Sequence, residues 1–571
     1  MNKRLAITIS GAVSLGSYEA GVLFEIFRAL AAHNCDPNTP ADERIYVDVL
    51  TGASAGGMCA TILAQKLLYD GAALAGESSN ALHDPWVNDV SLEALLNQTP
   101  QEDTSSSLLS SAFIEGLSKK YITGRYQTNP PPAAVRHPAI NPDKPLYLGL
   151  ALSNLDGIDY ARELRTGGEF IYTRYQDEFL RTLTTGADSD NAAAWEEARN
   201  AAVSCGAFPF AFAVKALQRK AADFADPVPA HFPDPGLKFA YTDGGVFQNE
   251  PLGMAKNFVD GIDEHQDTDT RFYLFVAPGT RGSSIAGGGT PVLTDKNADF
   301  LATGKALIGA IFNQARFHDW IMAEKANADV NLFNQRAAQL RDALLHGTAT
   351  ASGIASAAAA YLKLLQAHEP QRLTDDFIKD ALKRLRQQFV QDYLALSAPT
   401  LAAGTADAWL NTILVLEIAA DLETTDEMNI FAITANDDEL AGSSVQAFAG
   451  FFDQRIRQHD YDVGRKKAME FLDGQNAPGA VGLGPLRYKP DSPVVVNEAF
   501  NKFHAANLSL DERTKLRDRL LAGADALMTK AGMACLLRWP VKTFYLKPKL
   551  DAWLEMDAPE PPPGGIPHAG R

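Results

Sequence analysis

The sequence predicts an α/β fold, a sheet flanked by helices, that continues into a mainly helical C-terminal extension. Three observations predict it. The aliphatic and β-branched runs at residues 5–10 and 45–50 each pass through a small-residue turn into an apolar segment with helical spacing. Strand-like runs recur at Tyr147–Leu155, Phe239–Thr242 and Phe272–Val276. Beyond a Gly- and Ser-rich stretch at Gly279–Thr290 the apolar positions follow helical steps instead, as Ile378, Leu382, Leu385, Phe389, Tyr393 and Leu396 do.

Residues 5–10 read as a strand buried on both faces. The loop from Gly11 opens a helix whose Val22, Leu23, Ile26, Phe27 and Leu30 share one face. Strand, small-residue loop and helix N-terminus together offer backbone N–H groups to an anion. The loop lacks the Gly-Lys-Ser/Thr ending of a nucleotide phosphate loop and does not match G-x-G-x-x-G, so a tight strand-to-helix turn is the plain reading.

The second strand, Ile45–Leu50, runs into Gly52-Ala53-Ser54-Ala55-Gly56 and then the apolar segment Met58–Leu68. This is the context of a nucleophile elbow, in which Gly52 and Gly56 let the backbone bend sharply and leave Ser54 Oγ at a helix N-terminus. The unpaired N–H groups there stabilise developing negative charge. The competing reading makes Ser54 a helix N-cap and nothing more.

Residues 99–145 carry polar and proline-rich interruptions, Thr99–Ser105 and Asn129–Pro132, and read as a loop-rich insertion around short helices, a composition suited to a lid. Ala192–Val203 is expected to be a helix that ends before Gly206-Ala207-Phe208-Pro209-Phe210. The strand near 239–242 ends in Asp243-Gly244-Gly245. Asp-Gly is first a turn signal. A carboxylate at one strand end, in a chain with a serine elbow at another, sits at the edge where open α/β sheets bind ligands, and Gly244 is expected to admit the serine helix.

At 571 residues the chain is too long for one simple core. The expected organisation is a catalytic region over 1–290, a helical region over 291–558 packed on it, and a disordered tail over 559–571. A formal net charge of −18 argues against nucleic acid as a partner and against electrostatic docking on anionic membranes. Cys35, Cys59, Cys205 and Cys535 show no zinc or Cys-x-x-Cys spacing, so free thiols in a reducing compartment and no metal are expected. The apolar run after Met1-Asn2-Lys3-Arg4 is broken early by Ser14, Ser17, Tyr18 and Glu19, unlike a signal peptide, and no stretch is long and apolar enough to span a membrane.

Taken together, the elbow Gly52–Gly56, the segment Asp243-Gly244-Gly245 through Pro251, and Ala201–Phe212 with its Ala-Phe-Pro turn resemble the motifs of the patatin-like phospholipases, in order, over the first half of the chain. The resemblance implies a three-layer sheet, and a Ser-Asp dyad of Ser54 and Asp243 that hydrolyses acyl esters of phospholipids or other lipids with no histidine and no cofactor. It also implies an oxyanion hole from the glycine-rich loop, here Gly11, Ala12 and Val13 together with Ala55, and support of the dyad by Gly52, Gly56, Gly244 and Gly245. The loop departs from the family's usual three glycines and has Leu15 where a basic residue is common. The free thiols expected of a reducing compartment make a cytoplasmic protein the expectation, with transient contact at a membrane surface.

Two other readings stand beside it. A Ser-Asp-His esterase needs a histidine in a loop after a final strand, and neither His231, read as a surface loop residue, nor any histidine from His265 to His568 stands in one. A lipid-binding pseudoenzyme, with the helical half as a partner-binding scaffold, is opposed by the presence of both Ser54 and Asp243. Within the second half, Met428–Thr434 is expected to pair with the catalytic sheet, because a lone strand leaves its backbone groups unsatisfied. Phe451–Arg465 resembles C-terminal stretches of larger bacterial patatin-related proteins, and reads either as a packing helix with internally paired charges or as a phosphate-headgroup site.

Overall fold

The computed structural model describes residues 3–559 with breaks, the longest at 185–189, 264–269, 280–299, 384–400, 421–427, 476–481, 489–493 and 497–507. The expected cut near residue 290, most of the tail, and the periodic run beyond residue 383 fall outside the described residues.

An eight-stranded mixed sheet flanked by helices organises the chain. Its strands are β1 (Lys3–Ile9), β2 (Ile45–Gly52), β3 (Leu146–Glu163), β4 (Glu169–Leu183), β5 (Lys215–Arg219), β6 (Leu237–Asp243), β7 (Thr270–Ala277) and β8 (Ile430–Thr434). The order is β5-β6-β3-β2-β1-β7-β8, with β4 paired to β3. The strands β3, β2, β1, β7 and β8 run parallel to their neighbours along that path, whereas β4 and β6 run antiparallel to β3. Central β1 is buried from Arg4 to Ile9, which explains its near-continuous apolar sequence. The run expected to join the sheet does so: Ile430–Thr434 lies along Tyr273–Ala277, and Tyr273 N–H donates to Asn429 O at 2.9 Å.

The register on β3 positions the rest. Gly52, the last residue of β2, pairs with Leu150, and Asp243, the last residue of β6, pairs with Leu152. Because β4 occupies the other side of β3 along this whole stretch, β2 and β6 share one side of it and meet end to end. Two strands that run in opposite senses therefore finish facing one another.

The chain falls into two compact units, one of Met1–Ala255, Asp269–Asp319 and Asn429–Arg571, the other of Lys256–Thr268 and Trp320–Met428. The second has a small core of its own around Trp409, Ile413, Leu414 and Leu373, in which Trp409 Nε1 donates to Ala337 O at 3.0 Å. In the first unit, helix α1 (Gly16–Cys35) meets the helix Gln454–Gln475 backbone to backbone. A Cβ on Gly464 would run into Tyr18 O and one on Gly21 into Tyr461 O, so the crossing needs glycine on both sides.

That crossing settles how the Phe451–Arg465 stretch is used. Arg457 is buried and donates to the carbonyls of Val87, Gly450 and Phe451. Arg465 pairs at 2.7 Å with Glu25, whose other oxygen accepts from Tyr488 Oη at 2.5 Å. Arg455 lies on Asp453, and His459 contacts Asp460 at 3.1 Å. The stretch is a packing helix whose charges are met internally.

Removing one side of a buried pair leaves the other charge desolvated. Arg465→Ala is expected to cost about 3–5 kcal/mol in urea unfolding, and Arg465→Met combined with Glu25→Leu to regain much of it.

Candidate active site

Ser54 opens helix α2 (Ser54–Tyr69) directly after β2 and has a backbone φ of 50°, a left-handed conformation that a non-glycine residue adopts only under constraint. The constraint is visible in its neighbours. A Cβ on Gly56 would press into the carbonyls of Ile9 and Ser10, and one on Gly52 would lie 2.5 Å from Gly56 O, so the turn closes only with both side chains missing. Ser54 makes no N-cap bond to its own helix. Its Oγ donates instead to Asp243 Oδ2 at 2.5 Å.

Asp243 is completely buried. Its second oxygen accepts from Gly245 N–H at 2.7 Å, and its own N–H donates to Ala207 O at 2.9 Å, which ties it to the turn after helix α3 (Ala192–Cys205). Burial pushes its carboxyl up to about 7, against the two hydrogen bonds that hold it down. Among the described residues no histidine hydrogen-bonds to Ser54 or Asp243. His231 lies outside the described residues.

Two sequence expectations need correction. Gly244 does not admit the serine helix; a Cβ there would strike Ala151 O of β3, because β6 lies against β3 at this point. Gly11, expected among the oxyanion donors, has its N–H committed to Asn249 O at 2.9 Å, since the segment after Asp243 folds back over the loop. Ala12, Val13 and Ala55 remain. Val13 is at φ 53° and opens a 3-10 turn, Val13–Leu15, closed by Leu15 N–H to Ala12 O. Ala55, itself buried, sits at the N-terminal end of α2 beside Ser54, where the helix dipole is positive.

Val13, Ser54 and Ala55 share a cleft of about 720 Å³, open mouth included. Gly206, Phe208 and Phe212 of the Ala201–Phe212 motif and Met58 and Ile62 of α2 line it, and other walls come from places that no motif marks. Pro85 and Trp86 belong to a π-turn at Asp84–Asp89, and Tyr121 and Ile122 to another at Lys119–Thr123. The two π-turns are joined by Tyr121 Oη donating to Asp89 Oδ2 at 2.5 Å. Phe451 arrives from the far end of the sequence. Its turn is fixed by Arg457 and by Ser14, whose hydroxyl donates to Ala447 O and accepts from Gly450 N–H. The only sequence signal for this wall was the aromatic pair Phe451-Phe452. Among the described residues no three His, Cys, Asp or Glu side chains converge as a metal site, and no helix is long and apolar enough to cross a membrane.

Residues 7–256 match the family model described as patatin-like phospholipase. The chain is also similar to a protein of Mycobacterium tuberculosis described as an uncharacterized membrane protein, at 27% identity over 285 residues, 44% of this chain and 25% of that protein. It thus spans about a quarter of the length of the curated relative it matches.

A carboxyl at about 7 when folded and near 4 when unfolded makes the native state bind more protons between those values, so its ionisation costs stability as pH rises through that window. Asp243→Asn is therefore expected to be more stable than wild type by up to about 4 kcal/mol at pH 8, with the gap closing toward pH 4, in a pH series of urea unfolding curves.

Proposed function

We propose, on the premise that residues 7–256 form a patatin-like phospholipase domain, that this protein hydrolyses the acyl esters of lipids through Ser54 and Asp243. One observation carries the reading: a strained serine hydroxyl in the lining of an apolar cleft, donating at 2.5 Å to a buried carboxylate. Serine is a weak nucleophile at neutral pH and needs a base within hydrogen-bond reach. A carboxyl raised to about 7 is a far better proton acceptor than an exposed one, while still ionised in about half the molecules at that pH.

In the first half-reaction Ser54 Oγ attacks the ester carbonyl carbon and its proton passes to Asp243. The N–H groups of Ala12, Val13 and Ala55 receive the oxyanion, each donor being worth roughly a hundredfold or more in rate. Collapse expels the alkoxide, which takes the proton from Asp243 and leaves as the alcohol. Water then repeats the sequence on the acyl-enzyme: its proton goes to Asp243, its oxygen to the carbonyl carbon, and Ser54 is regenerated as the acid departs. The apolar cleft favours an acyl chain over a polar substrate.

Ser54→Ala and Asp243→Asn are each expected to lower ester turnover by at least about a thousandfold while the proteins stay folded, judged by circular dichroism. Wild-type kcat/KM should rise with pH about an apparent pKa near 7, because only the ionised Asp243 accepts the proton. Near-wild-type turnover in either variant would remove the dyad, and collapse on replacing one histidine would restore the triad reading.

With a net charge of −18, the protein is expected to turn over dispersed or zwitterionic lipid faster than anionic vesicles at low salt. Rates that climb with anionic lipid content would contradict that.

A further inference from the structure

The cleft beside Ser54 has a direction and an end. Ser54, Met58 and Ile62 line it at steps of four along α2, so it follows one face of that helix for two turns. Ile62 and Ile122 are buried within the main core cluster around the sheet, whereas the wall residues Ile114, Phe208 and Phe212 are only half-buried, so the cleft closes toward Ile62 and Ile122. The opposing walls are held in place. Tyr121 is bound to Asp89, Ser118 Oγ is taken up by Glu115 O and Arg199, and Phe451 is fixed by the Arg457 and Ser14 contacts to its turn. Tyr121 Oη and Ser118 Oγ thus have partners already, whereas Trp86 Nε1 in the same wall has none among the described residues, and a ligand lying along Met58 and Ile62 meets hydrocarbon.

From this geometry we propose that the cleft accepts a single unbranched acyl chain of about ten carbons, with Ile62 as its floor, resting on the reading of Ser54 as the nucleophile. The length follows from two rises. Eight residues of helix separate Ser54 from Ile62, about 12 Å at ~1.5 Å per residue, and an extended chain advances ~1.2 Å per bond. Shorter chains leave apolar wall uncovered. Longer ones must displace Ile62 and the core behind it, or turn back into water.

Hydrolysis of p-nitrophenyl esters from butyrate to palmitate tests the length. kcat/KM is expected to rise about fourfold per added methylene up to about ten carbons and then to flatten or fall. A second measurement does not depend on turnover: binding of saturated fatty acids of six to sixteen carbons to Ser54→Ala protein, read from the fluorescence of Trp86 in the cleft wall with Trp86→Phe as control. Affinity should show the same break. Ile62→Ala should move the break to longer chains by about two carbons, and Ile62→Val by about one. If no ester is turned over but the binding break stands, the hydrolase reading falls and the acyl cleft remains. If affinity and rate both keep rising to sixteen carbons, or if the break ignores both Ile62 substitutions, the proposal is overturned.

Discussion

The contact on which the site depends is the hydrogen bond from Ser54 to a carboxyl that has no solvent and, among the described residues, no cation beside it. A buried carboxylate with two hydrogen bonds is only partly compensated, which is why Asp243 sits near 7 rather than near 4. In the proposed mechanism that same imbalance is what suits it to act as a base. The surrounding backbone brings serine and carboxyl together: β6 ends with Asp243 opposite Leu152 of β3, β2 ends with Gly52 opposite Leu150, and the turn after Gly52 carries Ser54. Strain at Ser54 and Val13 and desolvation at Asp243 are local costs offset by the packed sheet and helices around them.

The second dependency runs between the ends of the chain. Ser14, in the loop after β1, holds the turn that carries Phe451, and Arg457 saturates three carbonyls around the same turn. The helix that follows crosses α1 at a pair of glycines and places Arg465 on Glu25. The cleft is thereby completed by residues more than 400 positions from the loop they touch. A polar helix can serve as core packing here because each buried arginine meets either a carboxylate or converging backbone carbonyls. The same accounting removes the phosphate-headgroup reading, since guanidinium groups spent on the protein are not offered to a ligand.

The elbow and the Asp-Gly turn were legible because they are local. A strand, a small-residue turn and a helical period occupy consecutive positions, and glycine reports a backbone that tolerates no Cβ. That Ile430–Thr434 joins the sheet was also legible, because an isolated strand must pair somewhere, although its parallel place beside β7 was not. What Gly11 and Gly244 contact was not. Gly11 loses its N–H to Asn249 and Gly244 lies against Ala151, partners fixed by how the segment after β6 folds back.

By itself, then, the sequence singled out the serine turn at Ser54 and the Asp-Gly turn at Asp243, the strands and helices that carry them, and the acidic balance of the chain. Each follows from short-range spacing or from composition, quantities that a linear string contains. Only the tertiary structure decided that the two strand ends face each other, that Asp243 is raised to about 7, and that two π-turns and a C-terminal turn wall one apolar cleft. Register across β3, desolvation and side-chain packing depend on residues brought together over hundreds of positions, and no local pattern encodes which of the available surfaces will meet.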